Sequence, residues 1–394
     1  MKEINRNRRL FGAVAAMLFA GVIYAWSILK APLAGEFGWD AKTLALNFTL
    51  TMCFFAVGGL IAGFAVKKTG PKVLIMTGGI LAGAGFLLTS LNKGNPVALY
   101  LTYGVMGGLG IGLSYNPLVS STNAWFTDRR GFSSGLLMMG FGASSLIIGN
   151  AADLLINAKG FGWRPTYRIL GLLIGAVLAL AGARAAFPEN SGNARKGSLS
   201  GYDTKDVVRS VTFWLFYLYL ISITAAGNVV ISAARDIGMN IGMSAALATS
   251  LVGVLAVCNA LGRLLSGAIF DRYGFRAAMT SGSVFVILSP LVILFALTNG
   301  SVAAGVAGLC VTGISYGFSP TVSSAVCGDF YGQKSFPLNF SIASTILIPT
   351  SFLATLVGSI VTETGSYQKP LVLLLCVSCI SMILNLIIRK PAEK

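Results

Sequence analysis

Long apolar segments separated by short polar loops run along the whole chain. We count twelve, at approximately 10–29, 44–66, 73–91, 98–122, 132–156, 167–187, 211–234, 244–270, 277–297, 301–326, 336–361 and 370–388. Each is close to the roughly 20 apolar residues that a helix needs to cross a bilayer. A membrane β-strand would be about ten residues long and alternating. The pattern therefore predicts an all-α membrane protein with twelve transmembrane helices.

One connection is longer and more polar than the others, and it divides the chain near its middle. Residues 188–209 contain Gly, Ser and Asn together with several basic residues, which is typical of a linker. We therefore predict an N-terminal six-helix half at 1–187, a cytoplasmic linker at 188–209 and a C-terminal six-helix half at 210–394.

Two short strings recur at a spacing of about 200 residues. Gly-Leu-Ser-Tyr115 in the fourth segment matches Gly-Ile-Ser-Tyr316 in the tenth, and Val119-Ser-Ser recurs as Val322-Ser-Ser. Chance similarity explains one such match better than two in the same order. Parallel repeats of six helices around a midplane site are a transporter architecture, so the repeat predicts two pseudo-symmetric halves.

Composition and charge agree with a protein that lies in lipid. Only 11% of the residues are charged and 55% are hydrophobic, whereas a soluble domain has about 25% charged residues. The net charge is +16, but the basic residues lie in short loops, so we do not expect nucleic-acid binding. The side of the termini holds 20 Lys and Arg and the other side holds 8. Both termini are therefore expected to be cytoplasmic, in the inner membrane of a bacterial cell.

The sequence lacks the residue patterns that catalysis or metal binding would need. The chain has no histidine, and its six cysteines lie mostly in apolar segments, where we interpret them as packing residues. No nucleophile–base pair is visible within the spans. We expect neither an enzyme nor a metal site nor a cofactor, and we expect a monomer. A sensor derived from a transporter stays an alternative.

One cation lies inside an apolar segment. Arg263 is about seven residues from the end of the eighth segment, which places it roughly 10 Å deep at 1.5 Å per residue. Burying a guanidinium costs several kcal/mol, and arginine does not deprotonate to avoid that cost. No clear mid-span carboxylate is available as a partner, so we predict that Arg263 binds the carboxylate of a substrate bidentately. The alternatives are capping by backbone carbonyls and contact with Asp271 in the next loop.

Other polar and aromatic residues are candidates for the same site. Asn259 lies one helical turn before Arg263 on the same face and can donate to a carboxylate. Further candidates lie in the first, fourth and tenth segments, namely Tyr24, Trp26, Tyr115, Asn116 and Tyr316. Tyrosine suits such a cavity because it combines an apolar body with a hydroxyl group. Each aromatic residue is also compatible with ordinary packing or with an interfacial anchor.

The loop after the eighth segment carries a motif of the form Gly-x3-Asp-Arg-x-Gly-x-Arg. Its residues are Gly267, Asp271, Arg272, Gly274 and Arg276. The motif resembles the signature loop of the major facilitator superfamily, and with the twelve segments this resemblance covers essentially the whole chain. It implies two halves that alternate access around a midplane site. The loop after the second segment departs from the pattern, because Lys67 stands where the family usually has an acid.

Two further strings resemble the oxalate:formate antiporter group, which is similar to the monocarboxylate carriers. They are Tyr24-Ala-Trp26-Ser and Asn259-x3-Arg263, and the resemblance implies that Arg263 binds substrate carboxylate. The oxalate carrier has a second basic residue in helix 11, but residues 336–361 contain no Lys or Arg. This departure favours a monocarboxylate of the lactate, pyruvate or formate type.

The resemblance also bears on how transport is coupled. Asn259 stands where animal-type monocarboxylate carriers have an acid that takes part in proton coupling, which argues against proton symport through a protein carboxylate. We therefore expect a secondary active transporter of a small organic anion, coupled to a proton or to a counter-anion. An oxalate or dicarboxylate:formate exchanger is one alternative. A facilitator of a neutral solute is another, and it would leave Arg263 without a partner.

Overall fold

A computed structural model describes residues 2–39, 41–188 and 201–391. These residues are almost entirely helical, and the short bridge between Gly201 and Gly332 is the β-type pairing found among them. Most of the predicted linker at 188–209 lies outside the described residues. Ten helical segments are long and apolar enough to cross a membrane.

The first six helices occupy the chain up to Arg184. Their bounds are Lys2–Ala20, Gly21–Ala25 and Trp26–Phe37 for helix 1; 41–69 for helix 2 and 71–89 for helix 3; Pro96–Leu99, Tyr100–Gly107 and Gly108–Asn123 for helix 4; Arg130–Gly142, Ser145–Gly149 and Asn150–Asn157 for helix 5; and Trp163–Arg184 for helix 6. Helix 1 contains a 3-10 segment, and helices 4 and 5 each contain a π-helical segment.

The other six helices are accompanied by two short ones, Thr204–Arg209 before helix 7 and Ala234–Ile241 after it. Their bounds are Val211–Ser232 for helix 7; 245–273 for helix 8 and 275–299 for helix 9; Val302–Tyr331 for helix 10; Phe336–Ser344 and Leu347–Thr364 for helix 11; and Gln368–Ile387 for helix 12.

Two of the ten long segments each consist of two helices joined at a glycine. Gly70 has φ 78° and Gly274 has φ 81°. This left-handed region is open to glycine, which has no Cβ, and rarely to other residues. Counting each such segment as two gives twelve helices in the described part of the chain, so the prediction of an all-α chain with twelve spans is confirmed.

Two helices differ from the prediction for local reasons. Helix 1 extends beyond the predicted 10–29 at both ends, because polar flanking residues satisfy helical hydrogen bonds as well as apolar ones do. Helix 11 is interrupted after Ser344. The interruption precedes Pro349, whose ring clashes with the carbonyl group four residues earlier, at Thr345.

The described chain forms two compact units. Unit 1 contains helices 1 to 4, helix 5 from Gly140, helix 6 and Ser335–Thr345 of helix 11. Unit 2 contains Arg129–Met139 of helix 5, helices 7 to 10, the rest of helix 11 and helix 12. Parts of helices 5 and 11 thus pack with helices from the other end of the sequence. The division into halves at 1–187 and 210–394 stays a prediction.

The internal repeat has the same packing role in each unit. In unit 1, a Cβ on Gly112 of helix 4 would lie 2.9 Å from the backbone nitrogen of Gly59 in helix 2. In unit 2, a Cβ on Gly313 of helix 10 would lie 2.6 Å from the carbonyl oxygen of Leu255 in helix 8. Small residues in these positions let two helix backbones approach closely.

We expect Gly112→Ala to destabilise the protein by about 1–3 kcal/mol, because the added methyl group overlaps the Phe55 carbonyl oxygen and the two backbones must separate. Thermal unfolding in detergent measures the effect. Gly253→Ala is the matched control, since a Cβ there meets nothing within 4 Å. Equal unfolding temperatures for the two variants would contradict this packing account.

Candidate functional site

Arg263 lies deep in helix 8, and its side chain is enclosed by protein. Helix 8 continues to residue 273 rather than ending near 270, so Arg263 is ten residues from the end of helix 8. At 1.5 Å per residue this is about 15 Å along the helix, deeper than the roughly 10 Å expected from the sequence. Only 2% of the residue is exposed.

The guanidinium of Arg263 donates two hydrogen bonds within the described part of the chain. Its Nε donates to Oδ1 of Asn259 at 3.2 Å, within the same helix. Its Nη1 donates to the carbonyl oxygen of Met138, in helix 5, at 2.5 Å. Both acceptors are uncharged, so the positive charge of Arg263 is solvated by dipoles rather than neutralised.

No carboxylate pairs with Arg263 in the described part of the chain. The ion pairs found there join Arg6 to Asp128, Arg164 to Glu36, Lys334 to Asp203 and Lys390 to Asp329. Of the two alternatives considered from the sequence, capping by a backbone carbonyl is present in part, through Met138. Contact with Asp271 is not the arrangement observed.

Asp271 instead binds the first turn of helix 5. Its Oδ1 accepts from the backbone N–H of Gly131 at 2.8 Å, and its Oδ2 accepts from that of Phe132 at 2.7 Å. The first N–H groups of a helix have no partner inside the helix, and the helix dipole favours a negative charge at this end. Asp271 thus holds the start of helix 5 against the end of helix 8.

The other motif residues shape and anchor the same loop. A Cβ on Gly267 would overlap the carbonyl oxygen of Gly131, so Gly267 allows helices 5 and 8 to touch. Gly274 provides the left-handed residue between helices 8 and 9. Arg276 donates to the carbonyl oxygens of Asn385 and Ile388 at the end of helix 12, and Arg272 lies against the ring of Tyr273.

The equivalent position after helix 2 has the opposite charge and different contacts. Nζ of Lys67 donates to Oγ of Ser335 at 3.0 Å, and Ser335 is the N-cap residue of helix 11. A cation at a helix N-terminus is not favoured by the helix dipole. The two loops therefore hold their partner helices unequally. Asp271 accepts two charge-assisted hydrogen bonds where the helix dipole favours its charge, whereas Lys67 donates one where the dipole does not.

Tyr316 belongs to a second polar network in unit 2. Its hydroxyl donates to Oδ1 of Asn228 in helix 7 at 3.0 Å, and Nδ2 of Asn228 donates to Oγ1 of Thr350 in helix 11 at 3.3 Å. The ring of Tyr316 lies against Gly227, where a Cβ would be 2.6 Å away. Sequence reasoning named Tyr316 but missed Asn228, which has no distinctive pattern around it.

Tyr24 and Tyr115 lie in an aromatic cluster within unit 1. Phe141 contacts both edge-on, with ring centroids 5.3 Å from Tyr24 and 4.9 Å from Tyr115. Phe55 and Phe340 complete the cluster, at 5.1 Å and 6.3 Å from the Tyr115 ring. Such a group presents large apolar ring surfaces and the hydroxyl groups of two tyrosines.

Asn116 and Trp26 are also in unit 1, where they contact residues outside this aromatic cluster. Nδ2 of Asn116 donates to Oγ of Ser341 at 2.8 Å, and its buried Oδ1 has no hydrogen-bond partner among the described residues. Nε1 of Trp26 donates to the carbonyl oxygen of Leu44 at 3.1 Å, and its ring packs 4.6 Å from that of Tyr103. These contacts tie Trp26 to the interior of the unit.

The structure thus brings Asn259 and Arg263 together and adds Met138 of helix 5, which sequence reasoning missed. The pair Gly131 and Gly135, spaced four residues apart on one face of helix 5, indicates a close helix contact there but does not single out the Met138 carbonyl. The remaining candidates lie in separate groups in the two units. No three His, Cys, Asp or Glu side chains in the described ranges are placed to hold a metal ion.

The sequence profile of the Major Facilitator Superfamily matches residues 10–234 and 218–394. The chain belongs to the major facilitator superfamily. This membership and the helical structure make it a multi-pass membrane transporter rather than an enzyme, as the sequence predicted. A superfamily fold serves many solutes, so the substrate has to be argued from the site.

Curated members of the superfamily match over different shares of their length. The MFS-type transporter YhjX of Escherichia coli (strain K12) is 26% identical over 340 residues, which are 84% of this chain and 82% of that protein. The oxalate:formate antiporter of Oxalobacter formigenes is 25% identical over 350 residues, which are 87% and 83%. Monocarboxylate transporter 1 of Bos taurus is 29% identical over 207 residues, which are 49% and 40%.

Solved structures of superfamily transporters share the fold. The proton:xylose symporter XylE superposes with a TM-score of 0.78 and 14% identity, covering 100% of this chain and 97% of that one. The fucose:proton symporter FucP of E. coli superposes with a TM-score of 0.72 and 14% identity, covering 97% and 98%. The predicted resemblance to the superfamily and to its oxalate:formate antiporter and monocarboxylate group is confirmed by these relatives.

Proposed function

We propose that this transporter carries a small organic anion, and that the anion is a monocarboxylate of the lactate, pyruvate or formate type. The observation that carries the proposal is the buried Arg263, which is only 2% exposed and whose guanidinium donates to an amide oxygen and a backbone carbonyl oxygen. A buried cation held only by neutral dipoles attracts an anion strongly, because little water competes for it.

The number of cations in these helices limits the number of carboxylates that the anion can carry. Arg263 can hold one carboxylate with two parallel N–H groups, and helix 11 contributes no second cation, since Lys and Arg are absent from 336–361. A dicarboxylate such as oxalate would bring a second charge that nothing in these helices neutralises. The oxalate:formate antiporter among the relatives keeps an exchanger as the second candidate.

Other parts of the proposal concern the remaining residues and the mechanism. We assign Asn259 to positioning Arg263, and Tyr24, Trp26, Tyr115, Asn116 and Tyr316 to contacts with the substrate or to the shape of its site. Transport proceeds by alternating access, coupled to a proton or a counter-anion. The protein works as a monomer in the inner membrane of a bacterial cell, with both termini cytoplasmic.

Uptake into proteoliposomes tests the substrate class. Labelled lactate, pyruvate and formate are offered in turn, with unlabelled oxalate, xylose or lactamide as competitors. We expect saturable uptake of at least one monocarboxylate, strong competition by other monocarboxylates and at least tenfold weaker competition by oxalate and by the neutral compounds. Uptake of a neutral solute with no competition by any monocarboxylate would overturn the proposal.

A further inference from the structure

A line of close contacts joins helix 5 to helix 8 within unit 2, and Arg263 stands at one end of it. We call this line the 5–8 seam: Gly131, Gly135 and Met138 of helix 5 against Asp271, Gly267 and Arg263 of helix 8. At the loop end Asp271 binds the N–H groups of helix 5. At the deep end Nη1 of Arg263 donates to the Met138 carbonyl oxygen.

The middle of the 5–8 seam is backbone against backbone. A Cβ on Gly135 would lie 2.7 Å from the carbonyl oxygen of Arg263, and one on Gly131 would overlap that of Gly267. Contacts of this kind are close, yet they contain few apolar atoms to hold them together. The polar interactions at the two ends, made by Asp271 and Arg263, therefore contribute much of what holds the 5–8 seam closed.

The hydrogen bond at the deep end occupies the group that an anion would need. A guanidinium offers two edges for bidentate binding, one with Nη1 and Nη2 and one with Nε and Nη2. In Arg263 each edge already includes one nitrogen in use, Nη1 for Met138 and Nε for Asn259. A carboxylate that binds bidentately at either edge therefore shares a nitrogen with one of the two acceptors and can displace it.

The two acceptors are not equivalent. Asn259 lies in helix 8, one turn from Arg263, and moves with it. The Met138 carbonyl belongs to another helix and reaches Arg263 only while the 5–8 seam is closed. A carboxylate forms stronger hydrogen bonds to a guanidinium than a neutral carbonyl does, so it can replace the Met138 oxygen at a net gain.

We propose that the substrate carboxylate replaces the Met138 carbonyl oxygen on Arg263 and thereby opens the deep end of the 5–8 seam. Arg263 then has two functions: it binds the anion, and in the absence of the anion it holds helix 5. This inference rests on the proposed function, because it takes Arg263 as the carboxylate site. Under this inference, helix 5 separates from helix 8 because the substrate carboxylate has bound to Arg263.

Thiol labelling at a buried position of helix 5 tests the inference. Ser134 is fully buried, and its hydroxyl lies 3.1 Å from that of Ser324. Ser134→Cys places a small thiol there, and mass spectrometry of that peptide follows its reaction with N-ethylmaleimide in the full-length protein. Ser283→Cys, equally buried in helix 9, is the matched control. Lactate is the probe and lactamide is its neutral counterpart.

We expect lactate, but not lactamide, to speed labelling of the Ser134→Cys protein about tenfold, a shift of about 1.4 kcal/mol in the opening equilibrium. The Ser283→Cys protein should not respond. Adding Arg263→Ala should give fast labelling without any ligand and no response to lactate. Adding Asp271→Asn, which weakens the loop end only, should raise the rate without ligand and preserve the response.

Two results would overturn the inference while leaving the proposed function intact. In one, lactate raises the unfolding temperature of the protein and is taken up, yet labelling does not change. In the other, the protein with Arg263→Ala elutes as a folded monodisperse species and labels as slowly as its parent. If lactate and the other monocarboxylates neither bind nor enter proteoliposomes, the proposed function itself fails, and this inference fails with it.

Discussion

Arg263→Ala is expected to reduce monocarboxylate uptake at least about 30-fold. Removing one partner of a buried, hydrogen-bonded charge pair costs roughly 2–5 kcal/mol, and each 1.4 kcal/mol is a factor of ten in affinity. Arg263→Lys should recover only part of the loss, because an ammonium keeps the charge but cannot present two parallel N–H groups to a carboxylate. Initial uptake rates into proteoliposomes measure both variants.

The control for Arg263→Ala is another arginine within a helix. Arg168 in helix 6 is exposed, and its Nε makes a long hydrogen bond of 3.4 Å to Oγ of Ser90. Arg168→Ala should transport within about a factor of two of the unmodified protein, since exposed polar contacts contribute little. Normal transport by a well-folded Arg263→Ala protein would show that the anion does not bind there.

Asn259→Asp is expected to have the second-largest effect. Oδ1 of Asn259 already accepts from Nε of Arg263 at 3.2 Å, so an aspartate at this position pairs with the arginine without rearrangement. The internal carboxylate then competes with the substrate for the guanidinium. We expect the KM for monocarboxylate to rise about 10–100-fold, in keeping with the 1.5–3 kcal/mol of a hydrogen bond to a charged group.

The control for Asn259→Asp is Asn150→Asp, which makes the same substitution at an exposed position. Asn150 is exposed in helix 5 and its side chain donates to the Leu146 carbonyl oxygen. Asn150 makes its hydrogen bond to a backbone carbonyl oxygen and not to a cation, so KM should stay within about a factor of two. Equal KM values for Asn259→Asp and the unmodified protein would show that the substrate does not compete for Arg263.

The lengths of the apolar segments were enough to predict the twelve helices, because lipid imposes a length and a composition on every span. The break positions were harder to predict. Gly274 was recognised because its motif surrounds it, and Gly70 occupies the corresponding place after helix 2. The interruption of helix 11 after Ser344 follows from Pro349, a local signal that the pattern of apolar residues does not contain.

Prediction of the site from the sequence was limited in a similar way. Arg263 could be singled out from the sequence, because a charge in the middle of an apolar segment is costly and needs a partner. Its contact with Met138 could not, since a backbone carbonyl oxygen is present at every residue and only tertiary packing selects one. Tyr316 illustrates the same point, because its hydroxyl is oriented by Asn228, 88 positions away along the chain.

The most direct test of the central claim is a comparison of each acid with its neutral amide. Thermal unfolding of the purified protein is followed with formate, acetate, lactate and pyruvate, and with the primary amide of each. The account predicts that at least one acid raises the unfolding temperature, that its amide does not, and that Arg263→Ala removes this difference. Equal stabilisation by acid and amide, or an acid preference that survives Arg263→Ala, would contradict it.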